Sequence, residues 1–161
     1  MTLPLFRVGL GTDIHHFRAD GELVLGGLII PETPRLEGHS DGDVLLHALC
    51  DACLGAAGLA DIGVLFPDTD PTLAGIDSRR IAARTVELLT GEGLGIVNLD
   101  AVLEGRRPRI DSRRDELRRS VATAFGISPD RINLKGKTQE GVGPEGEGRA
   151  LRVLAVALLG R

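Results

Sequence analysis

A nearly unbroken apolar run at residues 151–159 constrains the fold more than any other segment, because Arg152 is its only charged side chain. A run of this kind is typical of a strand that is buried on both faces. Either the strand lies inside the core of one chain, or helices cover one face and another subunit covers the other. The residues leave both alternatives open; we infer the second, and therefore a homo-oligomer.

The rest of the chain alternates between strand-like and helix-like segments. Short apolar stretches predict strands at 5–10, 23–30, 96–103 and 131–138, the second interrupted by Gly26-Gly27 and ended by Pro31 and Pro34. Helical spacing predicts helices at 41–59, 78–89 and 112–125, the first capped by Ser40. We expect an α+β two-layer sandwich, whose mixed sheet of four to five strands carries helices on one face in a ferredoxin-like arrangement. With 161 residues, the chain fits a single domain, 1–161.

Charge and hydropathy argue against several classes of function. The formal net charge of −4 and the pI near 5.6 are unlike those of a general nucleic-acid binder. No apolar run approaches the roughly 20 residues of a membrane span, and residues 1–7 lack the pattern of a signal peptide. We therefore expect a cytoplasmic protein that binds neither nucleic acid nor membrane.

The two cysteines, Cys50 and Cys53, form a C-x-x-C pair. This spacing also occurs in redox pairs and zinc sites, but here it lies within an apolar helical segment and not at a turn between a strand and a helix. We interpret both residues as ordinary buried thiols.

All four histidines fall between residues 15 and 47. Asp13 and His15 are two positions apart at the end of the first strand, so their side chains project from the same face. His47, on the first helix, could supply a third ligand. One carboxylate and two imidazoles can bind a divalent ion and leave one coordination position open. Taken singly, each histidine could equally be a hydrogen-bonded surface or core residue, and we expect His16 to point to the opposite face.

Two further segments carry polar groups suited to a phosphorylated polyol. The acidic loop 61–71 could accept hydrogen bonds from hydroxyl groups, although a solvated turn is the safer interpretation of its acidic residues taken singly. Residues 135–141 place lysine, threonine and glutamate beside glycine, which suits phosphate oxygens and a magnesium ion without forming a Walker loop. The basic residues Arg106, Arg107 and Arg109 are a second phosphate candidate, or a solvated charged loop.

Together these segments resemble the 2-C-methyl-D-erythritol 2,4-cyclodiphosphate synthase family. The resemblance rests on G-x-G-x-D-x-H at 9–15, on H-S-D-G-D at 39–43 followed by His47, and on D-I-G-V-L-F-P-D-T-D at 61–70. It continues through Pro108-Arg109, Thr138-x-Glu140 and the closing apolar strand, so it covers essentially the whole chain.

The resemblance implies two metal ions, a substrate and an assembly. Asp13, His15 and His47 would bind Zn²⁺, and Glu140 would hold Mg²⁺ or Mn²⁺ between the phosphates. His39 and Thr138 would be catalytic, stabilising the transition state. Family members are homotrimers with active sites between subunits. The implied substrate-binding residues are Asp13, His15, His39, Ser40, Asp61, Ile62, Gly63, Phe66, Asp68, Thr69, Asp70, Gly105, Arg106, Arg107, Pro108, Arg109, Ile110, Asp111, Lys137, Thr138, Gln139 and Glu140.

The implied reaction needs no general base. In 4-diphosphocytidyl-2-C-methyl-D-erythritol 2-phosphate, the anionic 2-phosphate attacks the β-phosphorus and CMP leaves. The barrier comes from bringing two anions together, which cations and fixed donors oppose. Two rival interpretations remain: a two-histidine, one-carboxylate iron site for oxygen chemistry, and a trimeric binding module that uses the metal only for assembly.

Two departures from the family pattern matter. Lys137 stands where the family usually has threonine, from which we predict tighter and more salt-sensitive substrate binding. Glu147 and Arg149 have exchanged the places of the family's arginine and glutamate near the three-fold axis. Glu147 would therefore repel an isoprenoid diphosphate there unless Arg149 reaches it.

Overall fold

The sheet of this computed structural model, which describes residues 5–67 and 69–161, has five strands in the order β2-β1-β5-β3-β4. They are β1 (Phe6–Leu25), β2 (Leu28–Leu36), β3 (Gly95–Glu104), β4 (Ile132–Lys137) and β5 (Ala150–Gly160). The β3–β4 pair is parallel, and β1–β2, β1–β5 and β3–β5 are antiparallel. The sheet is therefore mixed, as predicted.

Three longer helices form one layer on this sheet. They are α1 (Val44–Ala57), α3 (Ser78–Gly91) and α4 (Arg114–Phe125), with two four-residue helices, α2 (Ile62–Leu65) and α5 (Gly143–Gly146), in the connections. Helix α1 packs across β1 and β5, while α3 and α4 extend the layer towards β3 and β4. None of the helices in 5–67 and 69–161 has the length and apolar character that a membrane span requires.

Gly9 and Gly11 let α1 lie directly on β1. A Cβ atom at either position would collide with the backbone carbonyl oxygens of Ala52 and Ala48. Because the helix approaches the strand this closely, side chains of β1 and of α1 can converge on one point between them.

The predicted second strand is wrong. Gly26 and Gly27 have φ angles of 59° and 77° and form the turn of a hairpin, so residues 23–25 end β1 and residues 28–30 begin β2. Two consecutive left-handed residues are what a tight hairpin turn requires. Pro31 and Pro34 do not end β2, because β2 is an edge strand and can lack N–H donors on one side.

The predicted cap of the first helix is also wrong. Helix α1 begins at Val44, and its N-cap is Asp43, whose carboxylate accepts a hydrogen bond from the backbone N–H of Leu46. Ser40 lies before this turn and faces His47 instead, with the Ser40 hydroxyl 3.1 Å from His47 Nε2.

The second face of the sheet is uncovered within one chain. On β5, Val153, Ala155 and Ala157 are buried beneath the helices, whereas Val156 points the other way and is 41% exposed. Its register partner on β1, Leu10, is 67% exposed. One chain therefore does not bury both faces of β5, and the prediction of helices on a single face is confirmed.

Candidate metal centre and active-site cavity

Asp13, His15 and His47 meet at one point between β1 and α1. Asp13 Oδ2 lies 2.9 Å from His15 Nε2 and 3.0 Å from His47 Nδ1. One ligand atom from each residue lies within 4.8 Å of the other two. The predicted convergence of one carboxylate and two imidazoles is confirmed.

Opposing effects set the pKa values in this cluster. Burial raises the pKa of Asp13, but hydrogen bonds with His15 and His47 outweigh it and hold that pKa well below its usual range. Burial lowers the pKa of His47, but the hydrogen bond to Asp13 and the charges of Asp13, Asp43 and Asp41 raise it above its ordinary value. The protein therefore places an anionic oxygen between two imidazoles.

This donor set fits a divalent ion. Two imidazole nitrogens and one carboxylate oxygen match the three protein ligands of catalytic zinc sites, which keep a further position open. A cation that binds here must displace the protons shared between Asp13 and the imidazoles, so metal and proton compete for the same nitrogen atoms.

The cluster lies in the wall of a cavity of about 580 Å³, a volume that suits a small-molecule ligand. Part of the predicted substrate site surrounds this cavity. The predicted residues among its lining are Asp13, His15, His39, Ser40, His47, Ile62, Gly63, Phe66 and Asp70.

The residues of the acidic loop 61–71 either line the cavity or accept hydrogen bonds in local turns. Asp61 is exposed and caps α2, accepting a hydrogen bond from the Val64 N–H at 3.1 Å. Asp70 lines the cavity, and its carboxylate also accepts from the backbone N–H and the hydroxyl of Thr72. Thr69 is exposed and is not among the residues that line the cavity, and Asp68 lies outside the described residues.

A second, smaller cleft of about 50 Å³ gathers most of the predicted nucleotide-binding residues. Thr138 lies in its wall and donates a hydrogen bond to Glu140 Oε1 at 2.6 Å, beside a turn in which Gln139 and Glu140 have φ angles of 60° and 49°. Arg107 is outside the lining, with its guanidinium 5.0 Å from the centre of the Phe17 ring. The predicted residues in the lining are Gly105, Arg106, Pro108, Arg109, Ile110, Asp111, Lys137 and Thr138.

Asp51 and Ser78 are among the residues at the site that no sequence motif indicated. Asp51 lies one helical turn after His47, lines the larger cavity and accepts a hydrogen bond from the Ile62 N–H at 2.9 Å. Burial raises the pKa of Asp51, and the nearby charges of Asp61 and Asp13 add to this. The four-residue spacing from His47 was a usable signal.

The remaining predictions concern side chains away from the cavities. Cys50 and Cys53 are buried, and burial raises the pKa of Cys50 to about 12 and that of Cys53 well above its usual value. Both are therefore protonated thiols, as predicted. Arg149 does reach Glu147, with Arg149 Nε 2.7 Å from the Glu147 carboxylate.

Comparison with known proteins agrees with the motifs over nearly the whole chain. The model of the YgbB family matches residues 6–160. The 2-C-methyl-D-erythritol 2,4-cyclodiphosphate synthase of Trichlorobacter lovleyi is 44% identical over 153 residues, which are 95% of this chain and 98% of that protein. The enzyme of the same name from Dechloromonas aromatica is 47% identical over 156 residues, covering 97% of this chain and 98% of that protein.

Solved structures agree on the fold. The bifunctional IspDF of Campylobacter jejuni superimposes with a TM-score of 0.93 at 34% identity over 98% of this chain, which spans only 43% of that longer protein. The CDP complex of IspF from Plasmodium falciparum gives a TM-score of 0.84 at 33% identity, covering 96% of this chain and 95% of that one.

Proposed function

The chain belongs to the YgbB family, and from this membership we propose that it is a 2-C-methyl-D-erythritol 2,4-cyclodiphosphate synthase. It is a lyase of the non-mevalonate isoprenoid pathway that converts 4-diphosphocytidyl-2-C-methyl-D-erythritol 2-phosphate to the 2,4-cyclodiphosphate and releases CMP. The observation that carries this proposal is the Asp13–His15–His47 cluster in the wall of the larger cavity. The ligand residues and the residues around them belong to the motifs that the family shares.

Zinc is the metal that these three ligands suit best, because they combine two imidazole nitrogens with one carboxylate. Glu140, which accepts the Thr138 hydroxyl hydrogen bond, would hold Mg²⁺ or Mn²⁺, which prefer oxygen ligands. When bound, such cations offset the repulsion between two phosphate groups.

The chain's own residues bind and orient one long substrate. The larger cavity holds the methylerythritol phosphate through His39, Ser40 and Asp70, with Phe66 against its carbon skeleton. The smaller cleft holds the cytidine diphosphate, where Lys137 and Thr138 face the phosphates. Asp61, Asp68 and Thr69 complete the polyol side, and Arg107 and Gln139 complete the nucleotide side.

Catalysis then follows from positioning. A 2-phosphate oxygen forms a bond to the β-phosphorus while the bond from that phosphorus to the CMP oxygen breaks, so the electron pair leaves with CMP. The nucleophile is already anionic and gives up no proton. Holding both ends in line removes much of the entropic barrier. A hydrogen bond from His39 stabilises the charge that develops, and Thr138 adds a second one when its hydroxyl turns from Glu140 to the phosphate.

A homotrimer would complete the site. The two cavities share no lining residue within the described part of one chain, and the exposed face that contains Leu10 and Val156 needs a cover. We propose that each active site joins the metal cavity of one subunit to the nucleotide cleft of a neighbour. Three further expectations stay predictions: a single domain at 1–161, a ferredoxin-like arrangement and a cytoplasmic location.

The test is CMP release from the synthetic substrate. The chelator-treated protein should be inactive, zinc together with magnesium should restore turnover, and Asp13→Asn should abolish it at every metal concentration. No CMP release with any metal would favour the binding module. Iron-dependent oxygen uptake would favour the oxygenase.

A further inference from the structure

Ser78, the first residue of α3, is a fully buried hydroxyl beside the proposed metal centre. Its Oγ lies 2.9 Å from Nε2 of His47, the ring nitrogen on the far side from Asp13. A third group, Asp41, lies behind Ser78, with Asp41 Oδ1 2.5 Å from the Ser78 Oγ and Asp41 Oδ2 2.9 Å from the Ser78 N–H. Asp41, Ser78, His47 and Asp13 therefore form a continuous row.

The directions of these hydrogen bonds are fixed by chemistry. The Asp41 carboxylate can only accept, so it takes both the N–H and the hydroxyl proton of Ser78. Ser78 Oγ then has only lone pairs left for His47, and His47 Nε2 must be the donor. The proton that Nδ1 shares with Asp13 is then the one that a metal ion displaces, and the neutral ring that remains keeps its proton on Nε2 and presents a bare Nδ1 to the metal.

Ser40 cannot fix the ring in this way. Its Oγ lies 3.1 Å from the same Nε2 and accepts a hydrogen bond from the Gly42 N–H at 3.2 Å. Among the described hydrogen bonds no carboxylate takes the Ser40 proton, so this hydroxyl could donate to His47 as well as accept from it.

We propose that Ser78, held by Asp41, is a positioning residue that selects the Nε2–H tautomer of His47 and aims Nδ1 at the metal. This inference rests on the proposed metal site. Groups that orient a metal-binding imidazole through its other nitrogen commonly change metal affinity by about 10–100-fold. Ser78 begins α3, so the start of this helix orients a ligand carried by α1.

The experiment measures the zinc affinity of Ser78→Ala by competition with a chromophoric chelator at one fixed pH. We expect affinity to fall about 10–100-fold. Long-range ¹H–¹⁵N spectra of the metal-free protein, at a pH above the pKa of His47 where the ring is neutral, should show the single Nε2–H tautomer of His47 in the wild type and lose it in the variant. The tautomer is a readout that a merely structural role would not move.

Thr85→Val is the matched control. Thr85 lies on the same helix, is also fully buried, and donates its hydroxyl to the Ile81 carbonyl oxygen, away from the metal cluster. Loss of the Thr85 hydroxyl should leave the zinc affinity within about twofold of the wild-type value. An equal loss of affinity in both variants would overturn the proposal, because disturbance of the helix alone would then explain it.

Asp41→Asn tests the same row without touching Ser78. Its amide can donate to Ser78 Oγ, which frees the serine proton to point at His47 Nε2, so the tautomer should become mixed and affinity should fall. If wild type binds zinc while Ser78→Ala and Asp41→Asn keep its affinity and tautomer, the positioning role is wrong and the metal site stands. If the wild type binds no zinc, the metal site proposed above is wrong and this inference with it.

Discussion

Nδ1 of His47 lies 3.0 Å from Oδ2 of Asp13, although 34 positions separate the two residues in the sequence. The contact depends on the close approach of α1 to β1 at Gly9 and Gly11. A strand and a helix each contribute part of the cluster, so its geometry depends on core packing and not on a mobile loop.

The first prediction compares neighbouring histidines. His15 belongs to the cluster, whereas His16 is exposed and points to the opposite face of β1. His15→Ala should weaken zinc binding by more than about 100-fold, since it removes a direct ligand, and CMP release should fall with it. Isothermal titration and the CMP assay check this. His16→Ala should match the wild type in both, and a large effect of His16→Ala would contradict the assignment.

The second prediction concerns pH and the metal-free protein. The lowered pKa of Asp13 contributes stability above its ordinary value of 3.8, which is lost as pH falls through the folded pKa. The raised pKa of His47 contributes stability below its ordinary value of 6.5, which is lost as pH rises through the folded pKa. The pair should therefore stabilise the chelator-treated protein most between these two ordinary values.

Thermal unfolding of the wild type and of Asp13→Asn should show this window, with the largest difference in Tm near pH 5 and a smaller one above the raised pKa of His47. Zinc affinity should change in the opposite sense. A proton competes for Nδ1, so binding should weaken as pH falls through the pKa of His47. A Tm difference that is flat with pH would show that the pair is not coupled.

The third prediction concerns the cap of α1. The buried carboxylate of Asp43 accepts hydrogen bonds from the N–H groups of Gly26, Gly27 and Leu46 at 2.9, 2.6 and 3.1 Å. Asp43→Ala leaves three donors without a partner and should lower the free energy of unfolding by about 3–5 kcal/mol in urea titrations. Asp77→Ala, which removes the partly exposed cap of α3, should cost about 1 kcal/mol. Equal losses would show that Asp43 acts only as a helix cap.

The Asp43 carboxylate also explains why the sequence pattern predicts the wrong cap for α1. The local pattern favours Ser40 as the cap. Asp43 takes that place in the structure, where its carboxylate also accepts from the N–H groups of the Gly26-Gly27 turn. Those glycines lie between two similar apolar stretches, so the hairpin looked like one interrupted strand. By contrast, the i, i+2 spacing of Asp13 and His15 on a strand already required a shared face, and that part of the site was predictable.

Ser78 shows the limit of local pattern. It touches His47 from 31 positions away, and its neighbours in the sequence read only as a helix start. A buried hydroxyl becomes informative when its partners are known, because only then does the direction of its hydrogen bond follow. Asp51 differs, since its spacing from His47 on one helix could have identified it.

The fourth prediction concerns the uncovered sheet face. Leu10 and Val156 are register partners, 67% and 41% exposed. If this face lies between subunits, Leu10→Asp should convert trimers to monomers in sedimentation equilibrium, because a charge would be buried without a partner. Ile29→Asp, at a 62% exposed position on the edge strand β2, should leave the mass unchanged. A monomeric wild type would contradict both the trimer and the shared active site.

The fifth prediction separates two lysines on one strand. Lys137 is exposed in the wall of the nucleotide cleft, whereas the ammonium of Lys135 lies 2.6 Å from Asp100 Oδ2. Among the interactions described, Lys137 pairs with no carboxylate, so its positive charge is available to a substrate phosphate. The charge of Lys135 is compensated by Asp100.

Lys137→Thr should raise KM by about three- to tenfold, with a smaller change in kcat, and should flatten the dependence of KM on salt. Lys135→Thr should keep the salt dependence of the wild type, because Asp100 already screens that charge from the phosphates. Steady-state kinetics across a salt series measure both variants, and a Lys137→Thr enzyme with the KM and salt dependence of the wild type would show that this side chain does not contact the nucleotide phosphates.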